Sequence, residues 1–109
     1  MVFIETSIFA NQIRQIATDD EYRALQNVLL ADPAAGKLIS GGGGIRKIRF
    51  GRAGRGKSGG GRVIYYFLSA RNQIYMLAAY PKAVKVDLSV QEISVLHDLA
   101  KALKRNSDG

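Results

Sequence analysis

Cysteine is absent from this chain, which removes both a disulfide framework and any thiolate metal site. Histidine, the most familiar acid or base, occurs once, as His97. It falls beside an apolar stripe of the last predicted helix and reads as a helix-rim residue. No run of about eighteen apolar residues is available to cross a membrane. The opening MVFIETSIFANQ lacks a basic region followed by an apolar stretch and a cleavage site. The expectation is a soluble, cytoplasmic protein with no membrane contact.

The most informative scarcity is of negative charge. From Pro33 to Val86 there is no Asp or Glu, against eleven Lys or Arg; the nine carboxylates of the chain lie outside that span. The formal net charge is +7. A solubilising surface intersperses both signs, whereas a one-sided field draws in polyanions and speeds their encounter. With 109 residues, 47% of them apolar, the chain can build one modest core, so residues 1–109 are expected to form a single domain.

Val2–Glu5 reads as a short strand. Ser7 is placed to cap a helix with Phe9, Ile13 and Ile16 at helical spacing. Thr18-Asp-Asp-Glu21 has capping-box spacing. It opens a second helix carrying Tyr22, Leu25, Val28 and Leu29 on one side, which must stop near Asp32-Pro33. Gly36–Gly44 reads as a loop. In Ile45–Phe50 alternation sends Ile45, Lys47 and Arg49 to one face and Arg46, Ile48 and Phe50 to the other. The nearly continuous apolar runs RVIYYFLS and IYMLAAY suit central strands covered on both sides. Ser89-Val-Gln-Glu92 is another capping box, ahead of an apolar stripe at Ile93, Leu96, Ala100 and Leu103. Helices segregated from consecutive strands predict an α+β fold with an antiparallel sheet.

The stretch Gly51–Ser58, GRAGRGKS, matches the phosphate-loop pattern G-x-x-x-x-G-K-[ST]. A working phosphate loop leads into a helix whose N-terminal amides meet the phosphates. Here Gly59, Gly60 and Gly61 come next, each about 1 kcal/mol worse than alanine in a helix, and then a strand. No magnesium-binding acid ends an apolar strand nearby. The match is therefore a coincidence of spelling. Glycines interleaved with Arg52, Arg55 and Lys57 instead make an adaptable basic loop, suited to polyanion contact. The plainer reading of that loop is a solvated surface turn.

The run IRKIRFGRAGRGKSGGGRVIYYF, followed by IYMLAAYPK and a capped final helix, resembles the HigB branch of the RelE/ParE superfamily, the toxins of bacterial type II toxin–antitoxin modules. The similarity extends to the opening FIETSIF and the helical hairpin. It implies a RelE-like fold: a twisted antiparallel sheet packed against an N-terminal helical hairpin and a C-terminal helix. It also implies a ribosome-dependent mRNA endoribonuclease that cuts translated messages in the A site and inhibits translation, without metal or organic cofactor. The implied partner is an antitoxin carrying a helix-turn-helix domain, with operator DNA bound only through the complex.

Carried onto this sequence, the resemblance assigns Arg62 to the arginine that opens the central strand, and Lys47 and Arg49 to the paired basic positions on the strand before it. Lys82 matches a basic position after the last strand, and Lys57 belongs to the GK element. Relatives often have Gly-Lys-Asn-Glu where this chain has Pro81-Lys82-Ala83-Val84. Arg46, Arg52, Arg55, Tyr80 and Lys85 complete the expected RNA-binding set.

RNA cleavage by internal transfer requires a proton to leave the 2′-hydroxyl, another to reach the departing 5′-oxygen, and the charge growing on phosphorus to be balanced. With carboxylates excluded from the basic span, Lys, Arg and Tyr remain. Crowded cations lower a lysine's pKa, so Lys47 or Lys57 is a candidate base. Arg49 and Arg62 suit planar, paired bonds to the scissile phosphate, assisted by Lys82. Tyr65, Tyr66 and Tyr80 are candidates to stack on a base, although strand aromatics more often belong to a core. Two other functions fit the sequence: a ParE-like inhibitor of DNA gyrase, and an RNA-binding module without catalysis. The paired basic strand residues and the arginine opening the next strand argue against the first.

Overall fold

The computed structural model describes residues 1–51, 60–84 and 87–108, with side chains through 106. Strand β1 (Val2–Glu5) leads into helices α1 (Ser7–Ile16) and α2 (Asp19–Ala31). A short β2 (Lys37–Leu38), β3 (Ile45–Phe50), β4 (Gly61–Leu68), β5 (Gln73–Pro81) and helix α3 (Val90–Asp108) complete the chain. No helix among the described residues is long and apolar enough to cross a membrane.

Side-chain caps set the helix starts. Thr6, rather than Ser7, caps α1: its hydroxyl accepts from the Phe9 amide at 3.0 Å and donates to the Leu77 carbonyl at 3.1 Å. Thr18 and Glu21 form the expected reciprocal box, and Ser89 and Glu92 repeat it ahead of α3. Helix α2 ends at Ala31, immediately before Asp32-Pro33, where helical geometry becomes unfavourable.

The five strands lie in the order β1-β5-β4-β3-β2. The class is α+β, as the element order predicts. The sheet is mixed rather than wholly antiparallel, because β1 runs parallel to β5 while the other three pairings are antiparallel. The chain leaves β1 through two helices and three strands before β5 returns beside it in the same direction, a route no local turn prescribes. Strand β2, also unforeseen, adds two residues of the supposed loop to the edge of β3.

Both faces of β4 and β5 are covered, as their apolar runs require. On one face Phe9, Ile13, Leu25 and Leu29 of the helical hairpin pack on Phe50, Val63, Tyr65, Ile74 and Met76. On the other, Ala100, Leu96 and Leu103 of α3 pack on Ile45, Ile64, Tyr66 and Leu77. Val28, grouped by periodicity with the buried stripe of α2, is 48% exposed; Leu25 and Leu29, one turn apart, carry the contact.

A β-bulge re-phases β5. Ile64 pairs with Ala78 and Tyr65 with Met76, leaving Leu77 as the extra residue. Leu77 and Ala78 therefore both belong to the α3 face, and the alternation beyond them is inverted. Without the bulge Tyr80 would face the helical hairpin. With it, Tyr80 lies on the α3 face opposite Arg62. The bulge is held from α1: Gln12 accepts from the Ala79 amide at 2.8 Å, and Thr6 bonds the Leu77 carbonyl.

Candidate nucleic-acid interface

Strand register gathers the cations. Lys37 pairs with Lys47 across β2 and β3, and Arg49 pairs with Arg62 across β3 and β4. Lys47 and Arg49 are two residues apart on one strand, so all four share the α3 face of the sheet. Helix α3 packs on Ile45, Ile64 and Tyr66 and leaves this end of the face open. The result is a cleft of about 510 Å³ lined by Lys37, Lys47, Arg49, Arg62 and a wall at Ala35-Gly36.

Arg62 is the deepest of these cations. Among the described residues it is the one buried charged residue, at 6% exposure, and the one acceptor that its guanidinium meets there is the neighbouring Gly61 carbonyl, at 3.2 Å. A buried charge costs free energy unless an opposite charge or several acceptors meet it. Arg62 opens onto a cleft holding further positive charge, which suits it to an arriving anion.

Lys47 is met by a carboxylate from forty residues further along the chain: its Nζ donates to Asp87 Oδ1 at 2.5 Å. The hydrogen bond and charge of Lys47 hold the Asp87 carboxyl below its ordinary value, with Arg62 adding to the effect. The exclusion of carboxylates, correct for the span from Pro33 to Val86, thus fails for the cleft, because the approach to α3 folds back over the sheet. No local pattern marks that return.

Arg46, expected to bind RNA, is engaged elsewhere. It stands on the opposite face, where its Nη1 donates to the carbonyls of Gly36 at 2.7 Å and Ala34 at 3.2 Å. The Tyr65 hydroxyl reinforces the same segment, donating to the Pro33 carbonyl at 2.8 Å and accepting from the Gly36 amide at 2.9 Å. A Cβ at Gly36 would lie 2.8 Å from the Tyr65 ring and 3.0 Å from the Lys47 carbonyl, so this wall requires glycine. Arg46 and Tyr65 thereby build the side of the cleft instead of lining it. Strand alternation separates Arg46 from Lys47 and Arg49 in the same way.

The tyrosines do not offer stacking faces. Tyr65 and Tyr66 are buried, and Tyr80, the expected RNA contact, is only 5% exposed. Burial pushes the Tyr80 phenol above its ordinary value; the Asp87 and Glu92 charges act in the same direction and Arg62 opposes them. Tyr80 is therefore packed beside Arg62 beneath the cleft. Lys82 is exposed on the turn after β5, with its amide donating to the Gly60 carbonyl at 3.3 Å, and does not line the cleft. Arg52, Arg55, Lys57 and Lys85 lie outside the described residues, as does most of the GRAGRGKS stretch. The next element along the chain is strand β4, not the helix a phosphate loop needs. His97 bonds Asp98 at 3.3 Å and packs on Gly43, lining a separate hollow with Val90 and Ile93.

An α+β frame with a cationic cleft built across its sheet has the electrostatics of a polyanion-binding protein. A family model for the RelE toxin of the RelE/RelB toxin–antitoxin system matches residues 6–109. The chain belongs to this RelE toxin family and is the toxin of a toxin–antitoxin pair. Toxins of the family are in general ribonucleases that act with a cognate antitoxin and the ribosome.

Proposed function

We propose that this protein is a HigB-type, ribosome-dependent endoribonuclease that cuts translated mRNA in the A site, in the cytoplasm, as one toxin domain over residues 1–109. The reading rests above all on Arg62, a buried guanidinium at the floor of a cleft, with Arg49 directly across the strand pair. Planar guanidinium groups from adjacent strands match the oxygens of a phosphodiester and neutralise charge as it grows there. The 2′-oxygen attacks phosphorus as its proton leaves. The bond to the 5′-oxygen breaks, and that oxygen takes up a proton, leaving a cyclic phosphate on one fragment and a free 5′-hydroxyl on the other.

Lys47 and Lys57 are the candidate proton carriers, with Lys82, on the turn after β5, as an assisting cation. Asp87 Oδ1 holds the Lys47 ammonium group at the mouth of the cleft. None of these steps requires a metal ion. The antitoxin, with a helix-turn-helix domain of its own, would neutralise the toxin and carry it to operator DNA.

The test compares wild type, Arg62→Ala, Arg49→Ala and the double variant on translating ribosomes, mapping RNA 5′ ends. Each single change should slow cleavage by about 10²–10³-fold, the usual effect of removing one donor to a developing oxyanion. Unchanged cleavage by the double variant would eliminate the phosphate clamp. Gyrase poisoning with intact RNA would replace the function altogether.

A further inference from the structure

We infer that the cleft holds two successive phosphates of single-stranded RNA, one on Arg49 and Arg62 and the next on Lys37 and Lys47, so that Lys37 is an RNA-binding residue. The inference rests on the ribonuclease reading for the identity of the polyanion. Its geometry comes from the sheet.

Arg49/Arg62 and Lys37/Lys47 are two cross-strand pairs on the same face. They are offset by two residues along β3, about 6.6 Å, which is comparable with the step between successive phosphates along a strand. Both pairs line one continuous cleft. The second station already accommodates an anionic oxygen: Asp87 Oδ1 lies 2.5 Å from Lys47 Nζ. That carboxylate is 70% exposed and its partner 25% exposed, so the pair sits at the mouth of the cleft where solvent and ligand compete for it. A phosphate oxygen arriving there meets Lys47 as Asp87 does, with Lys37 on the far side. Gly36, where a Cβ would meet the Tyr65 ring on the hairpin side, lets the wall beside Lys37 pack closely on the strand.

The experiment measures binding of a short single-stranded RNA oligonucleotide by fluorescence anisotropy at several salt concentrations, with cleavage of translated mRNA assayed in parallel. The proteins are wild type, Lys37→Ala, Lys37→Arg and Asp87→Asn. Losing one phosphate contact should lower the slope of log affinity against log salt by about 0.7 in Lys37→Ala. Lys37→Arg should restore it. Asp87→Asn should tighten binding by about two- to five-fold by removing the internal competitor.

An unchanged slope in Lys37→Ala, or no RNA binding by wild type, overturns the inference. So does weaker binding by Asp87→Asn, which would show the carboxylate to be a support for Lys47 instead of a stand-in. Binding with the expected slopes but no cleavage retains the two-phosphate cleft and removes the nuclease reading. Cleavage with an unchanged slope does the reverse.

Discussion

Tyr65 shows how one side chain connects the core to the site. Its ring is fully buried against the helical hairpin, while its hydroxyl bonds both Pro33 and Gly36 in the wall of the cleft. Tyr65→Phe keeps the ring and strands those two backbone groups. It should cost about 1–3 kcal/mol in urea unfolding and reduce cleavage through a looser wall. An unfolding midpoint equal to wild type would show that the two groups find other partners. Arg46 reinforces the same segment, and the two hydrogen bonds it donates to the Ala34 and Gly36 carbonyls explain why a strongly basic residue on β3 need not touch RNA.

Among the elements, the approach to α3 combines folding and function. Ser89 and Glu92 cap the helix, and Asp87, two residues before Ser89, meets Lys47. Ser89→Ala should lower stability by about 1 kcal/mol. It should also weaken the Lys47–Asp87 pair, shifting RNA affinity in the same direction as Asp87→Asn. Thermal unfolding and the anisotropy assay report the two effects separately, and a stability loss with unchanged affinity would uncouple the cap from the cleft. Strand β5 makes a similar connection by its bulge. The apolar run IYMLAAY announces a central strand, but the extra residue at Leu77 inverts the alternation and aims Tyr80 at Arg62.

For the molecule as a whole, three tyrosines make alkaline pH the informative variable. Tyr22, Tyr65 and Tyr80 all have phenols raised above the ordinary value near 10, chiefly by burial, with Glu5 adding at Tyr22 through a hydrogen bond. A raised folded pKa means that the unfolded chain releases protons first. The stabilisation is complete below about pH 10 and is lost as pH rises through the folded values. The urea midpoint should therefore fall as pH is raised above about 10, and fall less in Tyr65→Phe; equal falls in both proteins would acquit Tyr65. At neutral pH the net charge of +7 predicts salt-sensitive association with ribosomes, slower as ionic strength rises. An association rate independent of salt would count against electrostatic steering.

Local chemistry determined a great deal by itself. The capping boxes at Thr18 and Ser89, the stop at Pro33, the alternation of Ile45–Phe50 and the apolar runs of β4 and β5 depend on neighbours within a few residues, so they were legible in the sequence. So was the basic span that lines the cleft. Tertiary structure alone decided which cations meet: Lys37 reaches the cleft through a two-residue strand hidden in a loop, and Asp87 reaches Lys47 across forty residues. It alone turned Tyr80 toward Arg62 and made β1 parallel to β5. Propensity and periodicity act along the chain, whereas register, bulges and returning segments are settled by packing between elements far apart in it.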